Sequence, residues 1–303
     1  MSLNNKTLVA VQWQLNEADY KSVGKFRDKL CYVMDEAAKE RKSDLLVAFP
    51  EDIVTFGILT ELMSANISAS DLKVALEAYV RNNFLELLGP RLKMRNWVPA
   101  IFQRCSNLME EYFETFKKAA RDYNCLIIAG SGLIAEGSSL YNESRGYDPG
   151  GIGIFQRKTH LIPLEDKGGL GLTPAPIDNI GCWGTNFGQI AITICFDGFQ
   201  KAVIDKVTGA DIIVQPSANP GPWTKEQQID WLLGAHNMVQ SAANVVINPM
   251  LTGSVLGLEF YGQSSILVRG ANEGLGYLDT EPLPHFAKVA KSPLDEEILV
   301  LNI

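Results

Sequence analysis

The chain has 303 residues, 46% hydrophobic and 20% charged, which is typical of a globular protein with enough chain to bury a sizeable core. Its net charge of −8 and its pI near 5.0 argue against nucleic acid or an anionic membrane as the main partner. No apolar run approaches the roughly 20 residues that span a bilayer, and the first residues lack the features of a signal peptide.

The predicted elements begin with strands and amphipathic helices that alternate along the first part of the chain. Residues 7–15 (TLVAVQWQL) form an apolar run that predicts a strand buried on both faces. Residues 20–42 repeat apolar side chains every three or four positions, which predicts a helix. A second buried strand follows from residue 44 and ends at Pro50. Residues 109–123 predict another helix, and residues 125–134 (CLIIAGSGLI) a third strand.

The same alternation continues to the end of the chain. Strands are predicted at residues 150–161 and 187–196, a short helix after them, and a strand at 211–218. A long helix is predicted at 226–243, with strands at 244–249 and 264–270. Nearly all-apolar strands between helices indicate an α/β layered protein with both sheet faces covered.

One segment interrupts this alternation. Residues 57–108 are rich in helix-forming residues with scattered aromatics, as in DLKVALEAYVRNNFLELL. The segment carries more apolar positions than one surface helix needs to bury. We therefore interpret it as an insertion that borders the entrance of a site or contacts another subunit.

The five cysteines do not form a recognisable framework. Their number is odd and no C-x-x-C occurs, so neither disulfides nor a zinc site is predicted, and a reducing cytoplasm is the expected location. The sequence GGLGL lacks the context of a dinucleotide-binding loop, and no histidine pair has metal-ligand spacing. We expect neither a metal nor a cofactor.

Three polar residues stand at the predicted ends of strands, where open α/β sheets bind ligands. They are Glu51, Lys158 and Cys195. Taken singly, each has an ordinary explanation, as a turn residue, a surface charge and a small buried side chain respectively.

Together, the three residues make a coherent set for nucleophilic catalysis. A thiol needs a nearby base or cation, and Glu51 could accept its proton, because burial can raise a carboxyl pKa toward neutrality. Lys158 could stabilise a thiolate or a developing oxyanion. A sharp turn after Cys195 would leave the backbone N–H of Phe196 free to bind the same oxyanion.

These residues lie in motifs that resemble the nitrilase superfamily of carbon–nitrogen hydrolases. LLVAFPE resembles the strand that ends in the base, at Glu51; FQRKTHLIPLE resembles the lysine motif, at Lys158; IAITICFD resembles the nucleophile motif, at Cys195. The order and spacing agree, and the flanking pattern is similar over residues 5–56 and 109–270, including YGQSSIL.

The resemblance implies a single domain over residues 1–303 with a four-layer α-β-β-α sandwich fold, which forms a homodimer or a higher oligomer. It implies Glu51 as base, Lys158 as oxyanion stabiliser and Cys195 as nucleophile. It also implies a second acidic residue seven or eight positions after the lysine, for which we choose Glu165 over Asp166. The expected substrate is a small amide or N-carbamoyl compound, since CFD is closer to the amidase and carbamoylase branches than to nitrilases.

The chain departs from the family pattern in two motifs, and other functions remain open. Many members carry Arg-Phe-Pro-Glu where this chain has GFQKAV (198–203), and Arg-Ala-x-Glu-Asn where it has NMVQS (237–241). A cysteine–histidine enzyme is the nearest rival chemistry, but we interpret His160 as structural and find no partner for His236 or His285. A nitrile hydrolase, or a non-catalytic member that binds a metabolite or protein, are the alternatives.

Overall fold

A computed structural model describes residues 5–151 and 153–303. Residues 1–4, part of the N-terminal stretch inspected for a signal peptide, and residue 152, part of the predicted strand 150–161, lie outside the described residues. The strands in chain order are β1 (Lys6–Leu15), β2 (Asp44–Ala48), β3 (Leu126–Glu136), β4 (Ser139–Tyr147), β5 (Gly153–Arg157), β6 (Cys182–Thr185), β7 (Gly188–Ile192), β8 (Ala210–Val214), β9 (Ser217–Ala218), β10 (Ala243–Asn248), β11 (Met250–Val255), β12 (Leu258–Phe260), β13 (Ser265–Val268), β14 (Phe286–Val289) and β15 (Glu297–Asn302).

The helices lie between these strands and within the interrupting segment. They are α1 (Val23–Lys39), α2 (Ile58–Ser64), α3 (Leu72–Asn82), α4 (Phe84–Met94), α5 (Trp97–Arg104), α6 (Ser106–Asp122), α7 (Lys201–Val207), α8 (Lys225–Trp231) and α9 (Asn237–Ser241).

The described strands form two sheets. In the first, the order is β12-β11-β1-β2-β3-β4-β5, with β15 paired to β1 and β9 paired to β11. In the second, the order is β14-β13-β10-β8-β7-β6. β1, β2 and β3 are parallel, and two antiparallel pairings then make β5 run in the same direction as β2. The ends of β2 and β5 therefore point to the same edge of the first sheet.

Side chains of β1 show how the layers stack, because neighbouring residues of a strand face opposite sides of the sheet. Val9, Val11 and Trp13 pack in one core with the apolar faces of α1 and α6. Leu8 and Ala10 pack in a second core with the strands of the second sheet and with α7 and α9. The layers follow the order helix, sheet, sheet, helix, which confirms the predicted α/β four-layer sandwich.

The chain changes sheets at two prolines, and one predicted strand divides at the first of them. The run predicted at 211–218 is two strands, β8 in the second sheet and β9 in the first, separated by Gln215 and Pro216. After Pro249, the chain passes from β10 in the second sheet to β11 in the first. Proline has no N–H for the ladder, which favours a break at these positions. The crossings bring residues of both sheets together at one seam.

Several predicted boundaries were wrong. The strand predicted at 187–196 ends at Ile192, and Cys195 begins a short 3-10 helix instead. The strand predicted at 150–161 ends at Arg157, so Lys158 lies just beyond it. The long helix predicted at 226–243 is interrupted at Gly234, whose backbone is not helical (φ −87°, ψ −108°).

The segment at 57–108 folds into helices α2 to α5, and its last residues belong to α6. Apolar side chains such as Leu59, Tyr79 and Ile101 join the core on the helical side of the first sheet. On α4, by contrast, Leu85 and Leu92 are each 82% exposed. The segment therefore has a packed inner face and an apolar outer face.

Candidate active site

Glu51 lies in a tight turn just after β2 and is buried. The turn packs against a bulge in β3 at Gly130, which has a positive φ of 64°. A Cβ at Gly130 would lie 1.9 Å from the carbonyl oxygen of Pro50, the residue before Glu51, so only glycine fits there. Backbone packing therefore fixes the position of this carboxyl.

Lys158 follows β5 and places its ammonium between two carboxyl groups. Its Nζ donates to Glu51 Oε1 and to Glu165 Oε1, both at 2.8 Å. Lys158 is 2% exposed and Glu165 is 5% exposed, while Asp166 is exposed, so Glu165 is the one of the two acidic residues that is buried beside Lys158. Glu165 Oε2 also lies 2.8 Å from this nitrogen, so the ammonium is surrounded by oxygens of both carboxyl groups.

Asn142, on β4, connects the two carboxyl groups a second time. Its Nδ2 donates to Glu51 Oε1 at 2.9 Å and to Glu165 Oε1 at 3.2 Å. Its backbone carbonyl accepts the N–H of Lys158 at 2.9 Å. One residue therefore fixes the relative positions of the three charged side chains.

Cys195 is buried and has a left-handed backbone conformation, with φ of 46°. Such a conformation is uncommon for residues other than glycine and persists only where the surroundings hold it. Here the N–H of Cys195 donates to the carbonyl of Pro216 at 2.8 Å, and its carbonyl accepts from Gln215 Nε2 at 2.9 Å. The N–H of Phe196 lies in the first turn of the 3-10 helix, where such groups have no acceptor within the helix.

Asp197 connects the cysteine turn to the residues after Lys158. This buried carboxyl accepts from the N–H and hydroxyl of Thr159 and from the N–H of His160. The ring Nδ1 of His160 lies 3.1 Å from the same carboxyl. No hydrogen bond within the described residues joins a histidine to Cys195, so the geometry does not favour the cysteine–histidine alternative.

Ala218, in β9, lies between the nucleophile candidate and the base candidate. Its N–H donates to Glu51 Oε2 at 3.1 Å, and its carbonyl oxygen lies 3.8 Å from Cys195 Sγ. Because β9 belongs to the first sheet and Cys195 follows a strand of the second, the site lies at the seam between the sheets.

Burial and charge shift the pKa values of these groups. Burial raises the pKa of Glu51 to about 8, against the opposing charge of Lys158. Burial also raises the pKa of the Cys195 thiol well above its ordinary value, and the charge of Glu51 adds to this effect. Burial acts to lower the pKa of Lys158, but the charges of Glu51, Cys195 and Glu165 outweigh it and raise that pKa. The thiol of Cys195 therefore favours its neutral form, the ammonium of Lys158 favours its charged form, and Glu51 is more basic than an ordinary carboxylate.

A cavity of about 110 Å³ adjoins these residues and is lined by Glu51, Lys158, Glu165 and Ala218. Cys195 is not part of the lining, and its sulfur lies next to Ala218. The rest of the wall is mostly apolar, and the segment at 57–108 contributes Ile58, Leu72, Leu76, Val98 and Phe102. The segment thus borders this cavity, and its place at the entrance of an active site or at a subunit contact stays a prediction.

The sequence reasoning missed several residues that hold this arrangement. Asn142 lies in β4, a strand that was not predicted because LYNESRGY has no simple apolar pattern. Asp197 was quoted only as part of a motif, and Gln215 and Ala218 only as parts of a predicted strand. The one available signal was Gln215, a polar residue within the buried strand predicted at 211–218.

Comparison with known proteins assigns the family. The family model described as carbon-nitrogen hydrolase matches residues 11–267. This chain belongs to the carbon–nitrogen hydrolase family. The resemblance noted in the three sequence motifs is thereby confirmed. No curated protein sequence matches the chain.

Solved structures of an amidase from Nesterenkonia sp. AN1, a member of the nitrilase superfamily, have the same fold. A double mutant in complex with acrylamide has a TM-score of 0.62 at 13% identity, covering 99% of this chain and 90% of that one. A mutant with the acetamide moiety of fluoroacetamide on its active-site cysteine has a TM-score of 0.61 at 14% identity, covering 100% and 92%. At this identity the likeness establishes the fold alone.

Two negative findings concern the described residues. None of their helices is both long and apolar enough to cross a membrane. No cluster of three or more histidine, cysteine, aspartate or glutamate side chains among them is arranged to bind a metal ion.

Proposed function

We propose that the chain hydrolyses the carbon–nitrogen bond of a non-peptide amide or N-carbamoyl compound through a cysteine thioester, with Glu51, Lys158 and Cys195 as the catalytic residues. The observation that carries the proposal is the buried ammonium of Lys158 held at 2.8 Å from both Glu51 and Glu165, beside a cysteine in a strained turn. Perturbed titratable groups that converge on a cavity are typical of active sites.

In the first half of the reaction, Glu51 takes the thiol proton of Cys195 as the sulfur attacks the carbonyl carbon. The positive charge of Lys158 and the N–H of Phe196 stabilise the oxyanion of the tetrahedral intermediate. Glu51 then gives its proton to the leaving nitrogen, the C–N bond breaks, and ammonia or an amine departs from the thioester.

In the second half, Glu51 takes a proton from a water molecule, which attacks the thioester carbon. The proton returns to the sulfur as the C–S bond breaks, and the carboxylic acid is released. Glu165 and Asn142 act as positioning residues, because Glu165 accepts from the ammonium of Lys158 and Asn142 donates to the carboxyl group of Glu51. A homodimer or higher oligomer, the single domain over residues 1–303 and a cytoplasmic location stay predictions.

Ammonia release from a panel of substrates tests the proposal. We expect amides or N-carbamoyl compounds to be turned over faster than nitriles, because CFD resembles the amidase and carbamoylase branches. The panel is assayed with equal concentrations of small amides, N-carbamoyl compounds and nitriles, with Cys195→Ala as the blank. Faster turnover of a nitrile than of every amide and carbamoyl compound would reverse the assignment.

The pKa of Glu51 predicts how activity depends on pH. Only the carboxylate form can accept the thiol proton, so kcat/KM should fall about tenfold per pH unit below a pKa of about 8 and level off above it. In Asp52→Asn the same fall in kcat/KM should occur at slightly lower pH, because the charge of Asp52 helps to raise the Glu51 pKa. A profile that stays flat between pH 6 and 9 would contradict the role of Glu51.

A further inference from the structure

The cavity beside Glu51 and Lys158 has a wall made mostly of apolar side chains. Apart from Glu51, Asp52, Thr55, Lys158 and Glu165, its lining side chains are apolar. Those from the segment at 57–108 come from three helices, with Ile58 on α2, Leu72 and Leu76 on α3, and Val98 and Phe102 on α5. A water molecule finds few hydrogen-bond partners in such a cavity. The transfer of an apolar group from water into it is therefore favourable.

The volume limits what the cavity can hold. A dry apolar cavity of about 150 Å³ binds benzene. The cavity of about 110 Å³ found here therefore suits a branched or linear group of about four to six carbons. A single methyl group would leave most of the apolar wall without contact.

The charges in the lining disfavour anions. Lys158 is the one basic side chain in the lining described, and it already binds Glu51 and Glu165. Asp52 adds a further carboxyl, whose only described side-chain hydrogen bond comes from Thr55 Oγ1 at 2.7 Å. A substrate carboxylate would be buried here beside like charges and without a cation of its own, which is strongly unfavourable.

An outer groove lies next to the cavity. This groove, of about 770 Å³, shares Leu72, Leu76, Val98, Leu164, Leu170 and Leu258 with the cavity wall. Its rim carries charged side chains of α3, including Lys73, Glu77 and Arg81. The shared side chains thus separate the charged rim of the groove from the apolar interior of the cavity.

We propose that this cavity is an acyl pocket that selects neutral amides with an apolar acyl group of about four to six carbons, and that the helical segment at 57–108 sets this preference. The inference rests on the proposed amide hydrolysis, since it assigns the cavity to the group attached to the scissile carbonyl. It excludes N-carbamoyl amino acids and other anionic substrates.

Three amides test the pocket: acetamide, 4-methylpentanamide and succinamate, which replaces the terminal isopropyl group of 4-methylpentanamide with a carboxylate of the same shape. We expect kcat/KM to rise about fourfold for each added methylene, so that 4-methylpentanamide exceeds acetamide on the order of 10²-fold. Succinamate should be at least about 10²-fold poorer than 4-methylpentanamide. Acetamide or succinamate as the best substrate would overturn the inference and leave amide hydrolysis standing.

Two matched variants locate the determinant. Val98→Phe fills the cavity and should lower the kcat/KM ratio of 4-methylpentanamide to acetamide by at least about tenfold. Val74→Phe makes the same change on α3 at a side chain that is 51% exposed, and it should leave the ratio unchanged. An equal effect of both variants, or no effect of Val98→Phe, would show that the segment does not set the preference.

A binding measurement separates the pocket from the reaction. Calorimetry with Cys195→Ala, which has no nucleophile, should show 4-methylpentanamide binding more tightly than acetamide and succinamate. If this order holds while the wild type releases no ammonia from any amide, the pocket is supported and the proposed hydrolysis fails. If acetamide or succinamate binds as tightly, the pocket assignment fails whatever the wild type hydrolyses.

Discussion

Cys195→Ala should reduce amide turnover by at least about 10⁴-fold, to the background level of the assay, because no other group in the site can form the thioester. The same change should not destabilise the fold much. Cys195 contributes a small side chain at a strained backbone position, and its neighbours Gln215 and Pro216 hold the backbone, not the sulfur. The measurements are steady-state ammonia release and thermal unfolding of the wild type and the variant.

Cys125→Ala is the matched control for this prediction. Cys125 is also buried, at 2% exposed, but it packs in the core on the helical side of the first sheet. The Cys125→Ala variant should unfold at a somewhat lower temperature, as expected for a shortened core side chain, and keep the wild-type kcat. If Cys125→Ala lost as much activity as Cys195→Ala, the loss would have to be assigned to packing and not to chemistry.

Lys158→Met should be the most damaging change at the site for folding and for catalysis together. It leaves the buried Glu51 and Glu165 without their shared cation, and removing one partner of a buried ion pair costs about 3–5 kcal/mol of unfolding free energy. It also removes an oxyanion donor, which is worth on the order of 10²–10³-fold in kcat. Chemical denaturation and steady-state kinetics measure the two effects.

Two further variants separate stability from catalysis. Lys158→Met combined with Glu165→Gln removes one of the two facing carboxyl groups, so it should recover part of the lost stability and none of the lost activity. Lys201→Met removes an exposed lysine that pairs with Asp205, and it should leave both the unfolding midpoint and kcat near wild type. Recovery of activity in the double variant would contradict the role of Lys158 in binding the oxyanion.

The sequence predicted the three central residues because each stands at or near the end of a predicted strand. Glu51 and Lys158 follow β2 and β5, whose ends meet at one edge of the first sheet, and Cys195 comes three residues after β7. Position alone did not indicate a function for these residues. Their chemical types did, because a carboxyl, an ammonium and a thiol can act together in catalysis when they are close. The layered α/β class followed from the same alternation.

The contacts of the supporting residues depend on strand pairings, which the periodicity of apolar residues does not predict. Asn142 reaches both glutamates because β4 runs antiparallel beside β3, and Ala218 reaches Glu51 because the chain changes sheets at Pro216. Only Gln215, Pro216 and Ser217 separate the apolar residues before and after this change, so the sequence predicts a single strand from 211 to 218. The residues on both sides of the crossing are buried, so their sequence patterns are alike. The sheet that each half joins is decided by tertiary packing, which the pattern does not indicate.

The substrate pocket was the least predictable part for a related reason. Leu72, Leu76 and Val98 look like core positions of short amphipathic helices, and most side chains of that pattern are core. Whether such a side chain faces another helix or a cavity depends on how α3 and α5 pack over the site. The sequence could predict that the segment borders an entrance, but not which of its side chains face the substrate.

The claim that Cys195 forms a thioester can be tested most directly by acid-quenching the wild type during turnover of 4-methylpentanamide and mapping the acyl group by mass spectrometry. Trypsin places Cys182 and Cys195 on one peptide, residues 168–201, so fragmentation must assign the modified residue, and Cys182→Ser serves as a control. The account predicts a 4-methylpentanoyl group on Cys195, present also in Cys182→Ser and absent in Cys195→Ala. An acyl group on another residue, or continued turnover by Cys195→Ala, would contradict it.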